Sequence, residues 1–110
     1  MPFEFGEILL VPFPFTHHAA FKKRPVAVAS ARAYNDARPD VVVMAITSQM
    51  SATGRYDLVI ADWQAAGLLK PSAVKPVFAT LERSLVLRRL GTLDAADQTA
   101  LREAIEEMIG

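Results

Sequence analysis

The chain has 110 residues, 52% of them apolar and 22% charged, which fits one globular domain able to bury its own core. Twelve basic residues balance twelve acidic ones, so no overall positive field advertises a nucleic-acid partner, and any basic surface must be local. Cysteine is absent, which excludes a disulfide framework and thiolate metal sites and suits a reducing cytoplasm.

The opening residues lack the basic start and small-residue cleavage site of a signal peptide. The apolar run Ile8–Phe15 is broken by Pro12 and Pro14 and is too short to span a bilayer. A cytoplasmic protein is expected, with no membrane partner. Glu7–Phe13 reads as a strand buried on both faces. Pro12 cannot donate to a ladder, so that end belongs at an edge or a bulge. Phe15–Arg24 reads as a loop that turns basic, and Pro25 opens a second strand, Val26–Ser30. Tyr34–Asp40 carries turn chemistry in Asn35, Asp36 and Pro39. Val41–Thr47 is a third, β-branched strand.

Gln49–Arg55 is a polar loop and Tyr56–Ile60 a short strand. Asp62–Ala66 forms one helical turn, with Asp62 as its cap and Gly67 as the left-handed residue that ends it. Trp63 packs beneath that turn. After a turn at Lys70–Pro71–Ser72, Ala73–Leu81 is a strand weakened by Pro76, and Ser84–Leu87 a further short strand before Gly91. The last segment is an amphipathic helix. Asp94 caps it, Asp97 sets negative charge in its first turn, and Leu101, Ile105 and Met108 recur on one face. The pattern predicts a mainly β fold of antiparallel strands with one C-terminal α-helix.

Little of the residue chemistry points to a metal or a covalent nucleophile. His17 and His18 are adjacent, and neighbours in an extended segment point to opposite sides, so they do not easily share an ion. No GxSxG motif, zinc-binding histidine spacing or glycine-rich phosphate loop is present. No metal and no cofactor is expected. What remains is polar groups at strand ends: Lys22, Lys23 and Arg24 before the second strand, Thr47, Ser48 and Gln49 leaving the third, and Arg55 in the loop beyond. Taken alone, these read as solvated surface. If the second and third strands pair, Arg24 and Thr47 are expected near opposite ends of the pair unless the sheet curls or the two strands are not direct antiparallel neighbours. Phe13, Phe15, Phe21 and Tyr56 read as core aromatics, with an exposed stacking surface as the alternative.

Several segments together resemble the MazF/PemK toxins of type II toxin–antitoxin systems. They are Gly6–Glu7–Ile8, Arg24–Pro25–Val26, Ile46–Thr47–Ser48, Asp62–Trp63, Ala66–Gly67–Leu68, Lys70–Pro71–Ser72 and Leu90–Gly91–Thr92–Leu93, in that order. The resemblance spans essentially the whole chain. It implies an SH3-like small barrel of the CcdB/MazF type with a C-terminal helix, working as a homodimer. It further implies metal-independent cleavage of single-stranded RNA at short sequences, through a 2′,3′-cyclic phosphate. The implied partner is a cognate antitoxin, with operator DNA contacted only through the antitoxin complex.

Carried over by position, the family's active arginine falls on Arg24 and its active threonine on Thr47. His17, His18, Lys22, Lys23, Ser48, Gln49, Arg55 and Lys75 are the candidate RNA-binding residues. Where some relatives carry an Arg-x-Asp pair, this chain has Lys75–Pro76–Val77, so no carboxylate base is available there and the basic function falls to Lys75. The general base is unassigned, with His17 and His18 as candidates. A non-catalytic toxin of the same fold, a gyrase poison like CcdB or an inactive antitoxin-binding member, is the competing reading.

Overall fold

The computed structural model describes residues 3–13, 22–52 and 54–110; His17 and His18, with Phe15 and Phe21, lie outside them. Six strands, β1 (Glu7–Phe13), β2 (Lys22–Val28), β3 (Asp40–Thr47), β4 (Leu58–Val59), β5 (Ala73–Glu82) and β6 (Arg88–Thr92), are joined by a short helix α1 (Arg32–Ala37) and followed by α2 (Ala95–Ile109). They form one sheet in the order β4-β5-β3-β2-β1-β6, antiparallel throughout and curled into a half-barrel.

The apolar runs of β1, β2 and β3 barely alternate because both faces of the sheet are covered. One face gathers Leu9, Val11, Val26, Val28, Val41, Val43 and Leu81 with Phe3 and Leu85. The other gathers Ile8, Ala27, Met44, Ile46 and Val74 beneath Leu93 and Leu101. Leu101 is fully buried, with Ile105 and Met108 packed beside the same cluster, so α2 covers the second face as its periodicity predicts. Each such buried side chain contributes about 1.5–3 kcal/mol. Among the described residues no helix is long and apolar enough to cross a membrane.

Capping fixes where α2 begins. The Asp94 carboxylate accepts from Asp97 N at 2.8 Å. Asp97 is itself buried and accepts from Ala61 N and Asp62 N, each at 3.0 Å. The first-turn aspartate therefore ties the helix start to the segment after β4. That segment turns as expected: Asp62 Oδ1 accepts from Ala65 N at 3.1 Å, and Gly67 has a φ of +80°. Leu68 N donates to Trp63 O at 3.1 Å, and Trp63 packs on the core there.

A close backbone approach seats this turn on β6. A Cβ at Gly67 would lie 2.0 Å from Leu90 O, and one at Gly91 would lie 2.5 Å from Ala66 O. The β1–β6 register shifts by one between Ile8 and Leu9. That bulge leaves Leu90 unmatched on β1 and lets its carbonyl meet Gly67.

Four expectations are corrected. The second strand starts at Lys22 and ends at Val28, because the basic triplet continues the pairing with β1 as far as Phe13. Pro25 and Pro12 both sit where their strands are paired on one side, which is where a strand tolerates proline. The Tyr34–Asp40 turn is replaced by α1. Asn35 inside it is buried and donates to Phe3 O at 2.8 Å and Ser30 O at 3.1 Å, so tertiary hydrogen bonds override its turn preference. The fourth strand is reduced to Leu58–Val59. The Ser84–Leu87 strand is a 3₁₀ turn, Arg83–Leu85, and the strand comes later with Gly91 inside it. Pro76 lies opposite Ala45 in a bulge, where the β3–β5 register shifts between Met44 and Ile46.

Candidate functional site

Arg24 and Thr47 come together at one end of the β2–β3 pair. The register Val26↔Ala45, Ala27↔Met44, Val28↔Val43 ends two residues short of Arg24 and Thr47, which line one pocket where the two strands part. The expectation of opposite ends is overturned: in an antiparallel pair the start of one strand lies beside the end of its partner. Alternation also gives them one face. Arg24 shares parity with Val26 and Val28, and Thr47 with Val41 and Val43, all on the same side of the sheet.

Arg24, Thr47, Ser48 and Gln49 line one pocket of about 320 Å³. Thr47 Oγ1 accepts from Gln49 N at 3.1 Å, which holds the hydroxyl in place and leaves its own hydrogen to donate. Arg24 is exposed at its guanidinium-bearing end of β2. A second pocket of about 290 Å³ opens next to the first and shares Pro25 and Ser48 with it. Its walls are the Gly67–Ser72 turn on one side and Arg88 and Leu90 of β6 on the other. The Gly67–Gly91 approach is what holds those two walls at a fixed separation. Lys70 and Arg88 therefore line this second pocket, although the sequence reading gave Lys70 only as part of a turn and a family segment and did not single out Arg88. Their signal was present: Arg88 and Arg89 alternate on a strand, so one of them must face away from the other.

Charge in the molecule is sorted around this groove. Arg32 lies 3.9 Å from both Glu4 and Asp36, Arg38 is 3.2 Å from Asp40, Arg55 is 3.5 Å from Glu107, and Arg89 is 3.0 Å from Glu7. Arg83 donates to the carbonyls of Asn35 and Arg38, and Arg102 lies over the ring of Phe5. Among the described residues, Lys22, Lys23, Arg24, Lys70 and Arg88 have no such partner. Three of these five line the two pockets, and no carboxylate does. A chain of zero net charge thus gathers cations at two adjoining pockets, Arg24 from one face of the sheet and Arg88 from the other.

The structure does not bring all the candidates there. Lys75 sits on β5 and pairs with Asp57 at 3.2 Å. The Asp57 carboxyl lies below its ordinary value, first because Gly54 N donates to it at 2.7 Å and then through Lys75. Lys75 is engaged in that structural pair and lines neither pocket. Arg55 stacks on Tyr56, 5.2 Å from the ring centre, in a separate depression against α2. Lys22 and Lys23 extend the basic run of β2 beyond the pockets and are exposed.

Comparison with known proteins identifies the fold and the family. No curated protein matches the chain in sequence. Among solved structures, the MazE–MazF complex of Deinococcus radiodurans is similar at 19% identity and a TM-score of 0.76, covering 100% of this chain and 98% of that one. The Mycobacterium tuberculosis toxin MazF-mt6 is similar at 24% identity and a TM-score of 0.74, covering 92% and 93%. A mycobacterial endoribonuclease in complex with its cognate antitoxin is similar at 16% identity and a TM-score of 0.74, covering 99% and 94%. At these identities the likeness establishes the fold. The family model of the PemK-like, MazF-like toxin of type II toxin–antitoxin systems matches residues 4–109, and the chain belongs to that family.

Proposed function

We propose that this toxin is a metal-independent endoribonuclease that cuts single-stranded RNA at short sequences, leaving a 2′,3′-cyclic phosphate and a free 5′-hydroxyl. The observation that carries this reading is that Arg24 and Thr47 line one pocket, with cations unpaired and no carboxylate lining it or its neighbour among the described residues. In such a reaction the 2′-oxygen attacks the adjacent phosphorus, the bond to the 5′-oxygen breaks, and a proton moves from the first oxygen to the second. Negative charge builds on the non-bridging oxygens. Arg24 supplies a planar, permanently charged guanidinium that grips two of them, and Thr47 donates its hydroxyl hydrogen to the same group. Placed donors of this kind are commonly the largest catalytic contribution. His17 and His18 remain the candidates for moving the proton, since imidazole titrates in the working range.

The groove also suits the acidic tail of a cognate antitoxin, which would block substrate by occupying the same cations. One similar protein is an endoribonuclease in complex with its cognate antitoxin. We further propose a cytoplasmic homodimer that reaches operator DNA only through the antitoxin complex.

The test is end-labelled RNA incubated with pure protein in EDTA. Cleavage to cyclic-phosphate ends, lost by a factor of about 10²–10³ or more in Arg24→Ala, is the expected result. Normal cutting by Arg24→Ala, or a strict metal requirement, would refute the mechanism. Intact RNA together with inhibited gyrase supercoiling would identify a non-catalytic poison instead.

A further inference from the structure

We infer that the pocket between the Gly67–Ser72 turn and β6 is a nucleotide subsite beside the scissile position. In it Arg88 and Lys70 hold a neighbouring phosphate, and Leu69 caps the base at the rim. This inference rests on the reading of the groove as an RNA site and deepens it.

Sheet register gives the spacing. Arg88 pairs with Leu10, and Leu10 pairs with Pro25, so Arg88, Leu10 and Pro25 form one row across β6, β1 and β2. Arg24 starts the next row. Two strand spacings, roughly 10 Å, separate Arg88 from β2, and Arg88 shares the face of Leu10 while Arg24 shares the opposite face with Val11, so the two guanidiniums address separate phosphates rather than the same one. Arg88 is free for this because its neighbour Arg89 takes Glu7, while Arg88 and Lys70 have no ion-pair partner among the described residues.

The pocket between the cations is built for a base. Leu10, Leu68 and Leu90 contribute apolar walls, and its volume of about 290 Å³ is just under the ~300 Å³ at which small-molecule clefts begin. That size suits one planar ring system and little more. Ser72 is buried in it, with its hydroxyl hydrogen committed to Lys70 O at 2.9 Å, so toward a ligand Ser72 acts as an acceptor. Leu69 stands at the rim, 93% exposed, the most exposed large apolar side chain described. An apolar residue left in water beside two unpaired cations is explained by a ligand with both a flat apolar face and negative charge. An unpaired nucleotide has both, and single-stranded nucleic acid is held by this combination.

The test compares Arg88→Gln and Leu69→Ser with Arg102→Gln, which removes the same charge from α2, away from both pockets. Leu69 and Arg88 are exposed, so neither change touches the core. Binding is measured to a random pool of 2′-O-methyl oligonucleotides, whose blocked 2′-oxygen prevents cleavage, and cut sites are mapped on unmodified RNA. Arg88→Gln should weaken binding about tenfold at low salt and lower the slope of log affinity against log salt by about 0.7. Leu69→Ser should flatten the base preference at one position flanking the cut. Arg102→Gln should do neither. If Arg88→Gln keeps the parent's salt slope and cut-site profile while Arg24→Ala abolishes cutting, the subsite is refuted and the nuclease reading stands. If the pool binds with an Arg88-dependent slope and RNA stays intact, the subsite stands and the nuclease reading falls. Absence of binding refutes both.

Discussion

The β2–β3 pair treats charge in opposite ways at its two ends. Where β3 begins, Asp40 accepts from the Tyr34 hydroxyl at 3.0 Å and from Arg38 at 3.2 Å, and Arg83 closes the corner by donating to the carbonyls of Asn35 and Arg38. Hydrogen bonding from Arg38 holds the Asp40 carboxyl below its ordinary value, and Asp40 in turn raises Arg38. Where β3 ends, Arg24 and Thr47 line one pocket and Lys70 and Arg88 the adjoining one, and among the described residues none of these three cations has a counter-charge. The same residue types therefore serve two purposes. A guanidinium that meets a carboxylate helps to hold the fold together, and one left without an anion remains available to a ligand. Clustered free cations repel one another, so their presence at one end of an otherwise balanced surface supports the proposal that this end is the one that binds.

The largest expected effect comes from making the open end resemble the closed one. Ser48→Glu places a carboxylate at the junction of the two pockets, within the reach of Arg24. Cleavage should fall by about 10²–10³, as for the loss of one placed donor, while the melting temperature holds or rises. Unchanged cutting by this variant would show that free charge at this end is incidental.

A smaller effect is expected from disturbing the wall that shapes the groove. Gly91→Ala forces a methyl group toward Ala66 O and should destabilise the protein by about 1–3 kcal/mol, read by denaturant unfolding. Because the clash is with backbone, the Gly67–Ser72 turn must move from β6, and affinity for RNA should fall with stability. The smallest effect belongs to the closed end. Asp40→Asn should leave cleavage intact and lower the melting temperature slightly at neutral pH. The sign follows from the depressed carboxyl: its contribution is present above the ordinary value of 3.8 and is lost as pH falls through the lower folded value. The difference between parent and variant should therefore shrink below about pH 4 and vanish in stronger acid.

Parts of the molecule with local causes were legible in the sequence. Glu7–Phe13 and Val41–Thr47 are apolar runs whose length and β-branching suit a doubly covered strand. Asp94 and the spacing of Leu101, Ile105 and Met108 define α2 without any tertiary information. Parts that depend on pairing were not. The start of β2 is hidden because Lys22, Lys23 and Arg24 are strand residues with solvent around them, and charge in succession reads as loop. Asn35 and Asp36 suggest a turn until Phe3 O and Ser30 O claim the Asn35 amide. Gly91 reads as a strand terminator, yet its lack of a side chain is required inside β6 by the Ala66 carbonyl. The resemblance pointed to Arg24 and Thr47, but that they line one pocket was visible only in the structure. Lys70 and Arg88 became visible only when the turn and β6 were set against each other, and Lys75 left the site once Asp57 was seen to hold it.

A double-mutant cycle on single-turnover RNA cleavage, with Arg24→Ala, Thr47→Ala and both together, tests most directly whether the two groups serve one phosphate. If they stabilise the same charge, the double variant should be little slower than Arg24→Ala alone, because groups that act as a unit are strongly non-additive. Losses that multiply independently, or an Arg24→Ala protein that cuts like the parent, would contradict the account.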